Sequence, residues 1–432
     1  MKKSILQEIL ALLARATIWK YKPIVIGITG STGKTSTREA IACVVGKKYR
    51  VRQPEKNFNN EIGLPLTVLG MQNYGRNIFA WLIAFLRVMS RILIHGEYPE
   101  VLVLEYGIDT PGDMDRLLAI AHPSVGVVTT IGEVPVHVEF FENPEEIAKE
   151  KEKLVAVLDA SGYAILNADD PRVSVMEKST KAKVSRFGFQ ESADVRIVNA
   201  DFVYTRTDSG EEIPKGMSFR IEYGGSMMPV RLHGALGKPQ IIAAAGAMAT
   251  GLAMGMNLVE ISEALQMYAP QPGRMRLVKG INNSLILDDT YNAAPESTKA
   301  ALETLQALSG KRKVAILGTM AELGKFNEQT HRAIGRQAAE FVDVLIGVGL
   351  QAQLILDEVK KSHHGREVSR FFYDDSRAAA EAVPSLMQKG DLILVKGSQS
   401  MRMERIVEAV MQDPEDAEQI LVRQGKEWQS SK

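Results

Sequence analysis

The segment Thr29–Ser36 reads TGSTGKTS and holds the residues whose types and spacing indicate chemistry most directly. A glycine-rich turn between a strand and a helix presents backbone N–H groups to phosphate oxygens. In that setting Lys34 can reach the β- and γ-phosphates of a nucleotide, and the Thr35 hydroxyl can bind Mg²⁺. The segment predicts a site for ATP or a similar triphosphate with Mg²⁺, formed by Gly30, Ser31, Thr32, Gly33, Lys34, Thr35 and Ser36.

The general pattern of such loops, G-x-x-x-x-G-K-[ST], is incomplete here, because Ile28 stands at its first glycine position. The loop indicates a nucleotide but does not distinguish a kinase, a GTPase and a ligase. Three other residues carry weaker signals: Glu105 ends an apolar run, His137 lies in a loop, and Lys151 lies in the segment KEKEKL. Taken alone, each also fits an ordinary structural or solvated role.

These residues need elements that bring them together, and the sequence predicts an α/β fold for that purpose. Short apolar runs are typical of strands buried on both faces of a parallel sheet, and they occur at Ile24–Ile28, Val101–Glu105, Val125–Thr130 and Ala164–Leu166. Helical segments such as Met114–Ala121 lie between them and complete the alternation. Glu105 is then at the carboxyl end of a strand, where ligands bind in such sheets.

The second half of the sequence predicts an antiparallel insertion over Val184–Leu232 and a helix over Ile241–Met254. The segment APQPGR at Ala269–Arg274 is typical of a domain boundary. A second α/β series follows it, with strands predicted at Ser284–Leu287, Val314–Leu317, Val344–Val348 and Leu392–Val395. We therefore predict three parts: an N-terminal helix at 1–22, a central ATP-binding domain at 23–269 and a Rossmann-like α/β domain at 270–432.

Composition narrows the class of protein. The chain has 52 Lys+Arg and 52 Asp+Glu, a formal net charge of +0, and proteins that hold long nucleic acids usually carry excess positive charge. We therefore expect no nucleic-acid partner. Cys43 is the only cysteine, so neither an internal disulfide nor a cysteine-based zinc site is expected. The N-terminal residues predict no cleavable signal peptide, and a cytoplasmic location is expected.

Two apolar helices are predicted outside the α/β alternation, at residues 1–22 and 78–94. In the first, Ile5, Ile9, Leu12 and Leu13 share one face. In the second, charged residues interrupt the apolar run before the roughly 20 residues that a membrane-spanning helix needs.

Two alternatives stay open for the role of these two helices. They bury their apolar faces inside the protein, or they present a surface to a partner protein or to the inner face of a membrane. In the second case Trp81, Phe85 and Leu86 would form an exposed patch.

Several motifs in this order resemble the Mur ligases, which build the peptides of peptidoglycan. The matching segments of the N-terminal half are TGSTGKTS, Asn57–Leu66 (NFNNEIGLPL), Leu104–Asp113 (LEYGIDTPGD) and Ala164–Asp170 (AILNADD). Those of the C-terminal half are Pro272–Arg276 (PGRMR), Asp288–Ser297 (DDTYNAAPES), Gly318–Gly324 (GTMAELG) and Val395–Glu404 (VKGSQSMRME). The second set resembles the branch that adds D-alanyl-D-alanine to a muramoyl tripeptide.

The resemblance implies an ATP- and Mg²⁺-dependent ligase that joins a muramoyl-peptide carboxylate to D-alanyl-D-alanine or a similar amine. It implies that Lys34, Glu105, His137 and Lys151 serve catalysis, with Thr35 and the last three of these holding Mg²⁺ and Lys151 carbamylated. It further implies a nucleotide face made by Arg274, Asp289, Tyr291 and Asn292. Substrate contacts are expected from Asn59, Asn60, Lys396 and Ser398.

Some features depart from the family pattern. Only residues 1–22 precede the first predicted strand, where the family usually has a domain that holds the UDP-sugar. Pro239 and Gln240 replace a His-Asn pair, and Thr319 and Gln399 replace an Asp and an Arg. Two alternatives therefore stay open: a related ligase acting on a folate-type or lipid-linked carboxylate, and a degenerate ligase that works with a partner subunit.

Overall fold

The structure is a computed structural model that describes residues 3–54, 58–94, 96–206, 210, 212–310, 312–361, 367–425 and 428. Met1 and Lys2 of the predicted N-terminal helix, and Asn57 at the start of NFNNEIGLPL, lie outside these residues.

Nine strands form one sheet in the order β2-β3-β1-β4-β5-β6-β7-β8-β9. Neighbours from β2 to β7 are parallel, whereas β7, β8 and β9 are antiparallel. The strands are β1 (Ile24–Thr29), β2 (Val51–Arg52), β3 (Val101–Glu105), β4 (Val125–Val128), β5 (Tyr163–Asn167), β6 (Lys183–Gly188), β7 (Val195–Arg206), β8 (Glu212–Tyr223) and β9 (Ser226–His233).

Nine helices accompany this sheet in the described part of the chain. They are α1 (Lys3–Tyr21), α2 (Lys34–Val45), α3 (Gly63–Leu69), α4 (Ile78–Leu93), α5 (Asp113–Leu118), α6 (Pro144–Ala156), α7 (Pro171–Ser174), α8 (Lys238–Ala253) and α9 (Leu258–Leu265). Side chains of α2, α8 and α9 pack on the face that carries Ile26 and Ile28. Side chains of α1, α3 and α4 pack on the opposite face, which carries Val25 and Leu102. Helices on both faces explain the continuous apolar runs of the strands.

A second sheet follows residue 275, in the order β10-β11-β15-β12-β13-β14. Its neighbours are parallel except for the antiparallel pair β10–β11. The strands are β10 (Arg276–Lys279), β11 (Leu285–Asp289), β12 (Lys313–Gly318), β13 (Val344–Val348), β14 (Ser369–Tyr373) and β15 (Leu392–Lys396). The helices are α10 (Pro295–Ala307), α11 (Asn327–Ala339), α12 (Ala352–Lys361), α13 (Ser376–Ala382), α14 (Glu404–Val410) and α15 (Ala417–Ile420).

The α/β fold class predicted from the sequence is confirmed, with two differences in detail. The predicted insertion contains β6, which is a parallel strand of the main sheet, and β7–β9 extend that sheet at its edge. The edge strands β10 and β14 were not predicted, because RLVK and SRFFY are short and lack the continuous apolar run of a central strand.

The N-terminal helix is present as α1, and the four residues predicted to share one face lie in different surroundings. Leu10, Leu13 and Ala14 are buried against the first sheet, whereas Ile5 and Leu12 are exposed. Leucines occur on several sides of this helix, so apolar spacing alone did not determine which side packs inward. Within the described residues, no helix is long and apolar enough to cross a membrane.

Candidate active site

The phosphate loop leaves β1 at Gly30 and enters α2 at Lys34. Gly30 has φ +146°, and a Cβ atom there would lie 2.0 Å from Oγ1 of Thr129, so a larger residue does not fit. Gly33 has φ +85° and directly precedes the helix, and among the residues that the structure describes no side chain caps α2. The first N–H groups of α2 are thus left for an anionic ligand at the carboxyl edge of the sheet.

The loop backbone is tied to the segment that follows β4. The N–H groups of Ser31 and Thr32 donate to the Thr130 carbonyl oxygen at 2.7 and 3.1 Å. Nζ of Lys34 folds back and donates to the Gly30 carbonyl oxygen at 2.8 Å. Burial lowers the pKa of Lys34, while the negative charges of Glu105 and Asp109 oppose that shift. The loop therefore places its cation beside acidic side chains, and its phosphate contacts remain a prediction.

Glu105 is the last residue of β3 and pairs in register with Ile28 of β1. This register places its carboxylate beside the start of the phosphate loop. The residue is 1% exposed, and its Oε1 lies 3.1 Å from Nη1 of Arg38. Within the described residues, neither carboxylate oxygen accepts a hydrogen bond of good geometry. A buried carboxylate with free lone pairs is suited to a divalent cation.

His137 joins the two halves of the chain. Its Nδ1 lies 2.6 Å from Oε2 of Glu322, which belongs to the segment after β12, and its Nε2 lies 3.5 Å from Oδ1 of Asp109. His137 and Glu322 both have positive φ, 65° and 62°, a conformation that side chains other than glycine seldom adopt. Burial lowers the pKa of His137 to about 4, and the positive charge of Lys34 adds to that shift, although Asp109 opposes it. The imidazole is therefore neutral at neutral pH and can act as a ligand through a ring nitrogen.

Lys151 is the buried one of three neighbouring lysines in α6. Lys149 is exposed, and Lys153 is half-buried and binds Asp115 at 2.6 Å, whereas Lys151 is only 2% exposed. Burial, followed by the positive charge of Lys34, lowers the pKa of Lys151 well below its usual value. A neutral amine is the form that reacts with CO₂ to give a carbamate, because a protonated amine has no free electron pair.

The predicted Mg²⁺ ligands are brought to one edge of the first sheet, and their chemistry fits that ion. Within the described residues, no group of three or more His, Cys, Asp or Glu side chains could hold a metal ion by itself. Mg²⁺ is usually bound through one or two carboxylates together with substrate phosphates. Glu105, the Thr35 hydroxyl and a carbamate on Lys151 would supply such oxygen ligands beside His137.

The predicted nucleotide face reaches the phosphate loop from the second half of the chain. Nη2 of Arg274 donates to Oγ1 of Thr35 at 3.1 Å. The same guanidinium lies 3.9 Å from the ring centroid of Tyr291, in a cation–π contact. Asn292 is engaged locally, since its Oδ1 accepts the N–H groups of Ala293 and Gln399 at 2.9 and 3.2 Å. Arg274 thus links Tyr291 to the phosphate loop, and nucleotide contacts by these two residues remain a prediction.

Several other predicted site residues make contacts that support the local fold. Asn60 caps α3, because its Oδ1 accepts the N–H groups of Ile62 and Gly63. Asn59 lies against Gly107, two residues after Glu105, where its carbonyl oxygen accepts the Gly107 N–H at 2.9 Å.

Three predicted residues are tied to the interior of the second half. Nζ of Lys396 lies 2.5 Å from Oδ2 of Asp289, so these two side chains form a buried ion pair. Oγ of Ser398 accepts the Ala321 N–H at 2.8 Å and holds the segment that carries Glu322. Substrate and nucleotide contacts by these residues remain predictions.

A cleft of about 610 Å³ opens between the two halves, next to these groups. His137 lines it from the first half, and Asn292, Glu322 and Ser398 line it from the second. Three arginines complete its wall: Arg377, Arg402 and Arg405. The cleft thus joins the candidate metal site to a positively charged surface.

Sequence reasoning did not single out Asp109, Glu322 and Arg38, which contact the predicted residues directly. Asp109 and Glu322 lie inside the motifs LEYGIDTPGD and GTMAELG, so the motif matches were the available signal. Arg38 lies one turn into α2, where a charged residue ordinarily indicates only a solvated helix face.

Comparisons with known proteins match both halves of the chain. The family model of the Mur ligase middle domain matches residues 28–247. That of the Mur ligase, glutamate ligase domain, matches residues 273–399.

Curated relatives and solved structures agree with these matches. The chain is 30% identical over 404 residues to the UDP-N-acetylmuramoyl-tripeptide–D-alanyl-D-alanine ligase of Bacillus subtilis, covering 93% of this chain and 79% of that protein. It is 31% identical to the enzyme of the same name from Mycobacterium tuberculosis, covering 90% of this chain and 73% of that protein. The crystal structure of MurF ligase from Thermotoga maritima in complex with ADP superimposes with a TM-score of 0.75 at 26% identity, covering 95% of this chain and 84% of that one.

Proposed function

We propose that this chain, which belongs to the Mur ligase family, is an ATP-dependent ligase that adds D-alanyl-D-alanine or a similar amine to the carboxylate of a muramoyl peptide. The observation that carries the proposal is the meeting of Lys34, Glu105, His137 and Lys151 at the carboxyl edge of the first sheet, opposite Glu322 of the second half. Such a set can neutralise the charge that develops when a phosphoryl group is transferred to a carboxylate.

The reaction proceeds in two chemical steps. The donor carboxylate attacks the γ-phosphorus of ATP, which gives an acyl phosphate and ADP. The nitrogen of the incoming amine then attacks the acyl carbon, loses a proton and expels inorganic phosphate. In this proposal Lys34 binds the transferring phosphoryl group, and Arg274, which donates to Thr35 of the loop, contacts the nucleotide from the second half.

Lys151 completes the site in this proposal as a carbamate, formed when its neutral amine adds CO₂ and releases a proton. This change replaces a neutral amine with an anion that can hold Mg²⁺. Mg²⁺, when bound, would neutralise charge on the phosphates as a Lewis acid. The deep burial of Lys151 and the nearby charge of Lys34 support the neutral amine that this reaction needs.

The arginines of the cleft indicate which side chains orient the incoming amine. Arg402 forms an ion pair with Glu404 at 2.5 Å, while the described residues give neither Arg377 nor Arg405 an ion-pair partner. Arginine side chains without a carboxylate partner attract an anion and bind carboxylates in bidentate fashion. We propose that Arg377 and Arg405 bind the carboxylate at the far end of the incoming dipeptide.

An arginine variant tests this orientation. Arg405→Met should raise KM for D-alanyl-D-alanine by about tenfold with little change in kcat, because a charged hydrogen bond contributes roughly 1.5–3 kcal/mol. The control Arg370→Met removes an exposed arginine at the amino end of β14, away from the cleft. A dipeptide amide, which has no carboxylate, should bind the Arg405→Met variant and the parent equally. An unchanged KM for the dipeptide would place the carboxylate elsewhere.

One assay tests the function itself. Inorganic phosphate release from ATP is measured with muramoyl tripeptide and D-alanyl-D-alanine, with folate and glutamate, and with each amine alone. The proposal expects release only with the first pair, and a folate-dependent signal would favour the alternative carboxylate. Lys34→Ala should fold normally and reduce turnover by about 100-fold or more, since removal of one transition-state contact often costs about 3 kcal/mol. Near-normal turnover by that variant would contradict the assignment.

We also propose an additional contact through α1 and α4, either with a partner protein or with a membrane. The surface that would make this contact is on α4.

A further inference from the structure

Helix α4 presents an apolar face to solvent that is unusual for a protein in water. Phe79 is 80% exposed, Leu93 77% and Ile78 70%, and the same face continues through Leu82, Ile83, Leu86 and Met89. We call these seven residues the α4 apolar face. Large exposed apolar patches on monomers mark interaction sites, because each Å² of apolar surface left in water costs free energy.

The opposite side of α4 is fixed in the protein, so the exposed face is not a consequence of a loosely attached helix. Trp81, Ala84 and Val88 are buried in the core beneath the first sheet. Nε1 of Trp81 donates to the Gly75 carbonyl oxygen at 3.1 Å. The three side chains predicted to form an exposed patch in the docking alternative lie in different surroundings: Trp81 is buried, Phe85 is half-buried and Leu86 is exposed.

Both ends of α4 are also held. Oδ1 of Asn77 caps its first turn by accepting the Ala80 N–H at 3.0 Å. At the other end, Nζ of Lys20 in α1 donates to the carbonyl oxygens of Arg91, Ile92 and Ile94 at 2.8–2.9 Å. A lysine on the last carbonyl groups of a helix is favourable because the helix end carries partial negative charge. The α4 apolar face is thus a rigid surface.

The charged residues in the segment that carries this face have a single sign. Residues 71–96 contain no Asp or Glu, but they contain Arg76, Arg87 and Arg91, which are all exposed. At 100° per residue, Arg87 and Arg91 lie along one border of the α4 apolar face. Trp19, next to Lys20 in α1, is 80% exposed near the same end of α4. An apolar face bordered by arginines with an aromatic residue nearby is typical of a helix that lies in a membrane interface.

We propose that the α4 apolar face docks on the surface of a membrane that contains anionic lipids, with α4 lying in the plane of the interface. The side chains would enter the boundary between headgroups and acyl chains, and the arginines would bind lipid phosphates. Ser90 is the only exposed polar uncharged side chain of this helix, which fits lipid better than a protein interface, where about one hydrogen bond forms per 100–200 Å². The 16 residues of α4 are too few to span a bilayer.

Vesicle co-sedimentation of the full chain tests the proposal. Vesicles of phosphatidylcholine with phosphatidylglycerol are compared with vesicles of phosphatidylcholine alone. We expect binding to the anionic vesicles, weakened by salt, and weak binding to the neutral ones. The double variant Phe79→Ser/Leu86→Ser should lose at least about tenfold in partitioning, because it removes two large apolar side chains that would enter the lipid.

Matched variants distinguish binding through the α4 apolar face from nonspecific hydrophobic binding to vesicles. Met267→Ser/Leu350→Ser removes two side chains that are 81% and 77% exposed elsewhere, and it should bind vesicles like the parent. Arg76→Gln/Arg87→Gln should weaken binding to anionic vesicles only, and it serves as the test if the serine variant does not fold. None of these residues lies in the candidate active site, so ligase activity in solution should persist in all three variants.

Three results would overturn the proposal. The parent chain fails to bind anionic vesicles, or the serine variant binds as well as the parent. In the third, the parent chain forms a dimer in the absence of vesicles, and the Phe79→Ser/Leu86→Ser variant is monomeric. That result would show that the α4 apolar face binds a second copy of the chain. The vesicle assay needs neither ATP nor substrate. A negative vesicle result therefore does not contradict the proposed ligase function, and an absence of ligase activity does not contradict the membrane proposal.

Discussion

Lys151 in the first half and Lys396 in the second are buried to the same extent, each 2% exposed, but their surroundings differ. Nζ of Lys396 lies 2.5 Å from Asp289 and donates to the Asn292 carbonyl oxygen at 2.8 Å, so its charge is compensated. Lys151 has no ion-pair partner among the described residues, and the cation Lys34 acts on it. Burial lowers the pKa of both lysines, but the Asp289 carboxylate opposes that shift at Lys396, whereas the cation Lys34 adds to it at Lys151 and favours a neutral, reactive amine.

The largest expected effect is on the reactive lysine. Lys151→Ala should reduce ligase turnover by about 100-fold or more, the scale of losing a group that stabilises charge in a transition state. Added acetate or formate should restore part of the activity, because a small carboxylate can take the place of the carbamate. Phosphate release measures both.

The control for that variant is Lys149→Ala, which removes an exposed lysine from the same helix. It should leave turnover within about twofold of the parent, as expected for a surface substitution. Equal losses of turnover in the two variants would show that a general basic surface matters. They would contradict a special role for the buried Lys151.

The compensated lysine should affect stability first. Lys396→Met removes one partner of a buried ion pair and leaves the Asp289 carboxylate unpaired, which should cost about 3–5 kcal/mol of the free energy of unfolding. Urea denaturation followed by circular dichroism measures this loss. Lys151→Ala should lose clearly less stability, because no paired carboxylate is stranded, and a reversed order would contradict the comparison.

Removing both partners should be milder than the two single changes added together. In the double variant Asp289→Asn/Lys396→Met, neither side chain remains as an unpaired buried charge. The coupling free energy should be about 1–3 kcal/mol, as for contacting residues. A value near zero from the double-mutant cycle would mean that the 2.5 Å contact carries no energetic coupling.

The smallest effect concerns Asn60, whose side chain caps α3. Asn60→Ala should lower the free energy of unfolding by about 1 kcal/mol, the usual effect of losing a helix cap. If capping is its main role, KM for the donor stays unchanged. A KM that rises while stability holds would instead support the predicted substrate contact.

Much of the fold followed from local pattern, and the remainder depended on pairing between distant segments. The central strands were predicted because burial on both faces requires continuous apolar runs such as Val101–Glu105. The parallel pairing of β6 and the edge strands β10 and β14 depend on neighbours that local sequence does not reveal. For the same reason, α4 was recognised as apolar, but which of its faces packs inward was decided by the core beneath it.

The sequence by itself determined the phosphate loop, because the positive φ values of Gly30 and Gly33 and the position of Lys34 depend on adjacent residues. Only the tertiary structure decided that His137 meets Glu322, 185 residues later, and that Lys151 is buried while Lys149 is exposed. Charge state and metal-binding capacity arise from solvent exclusion and from charges on other elements. Those surroundings exist only after the two halves of the chain have folded together.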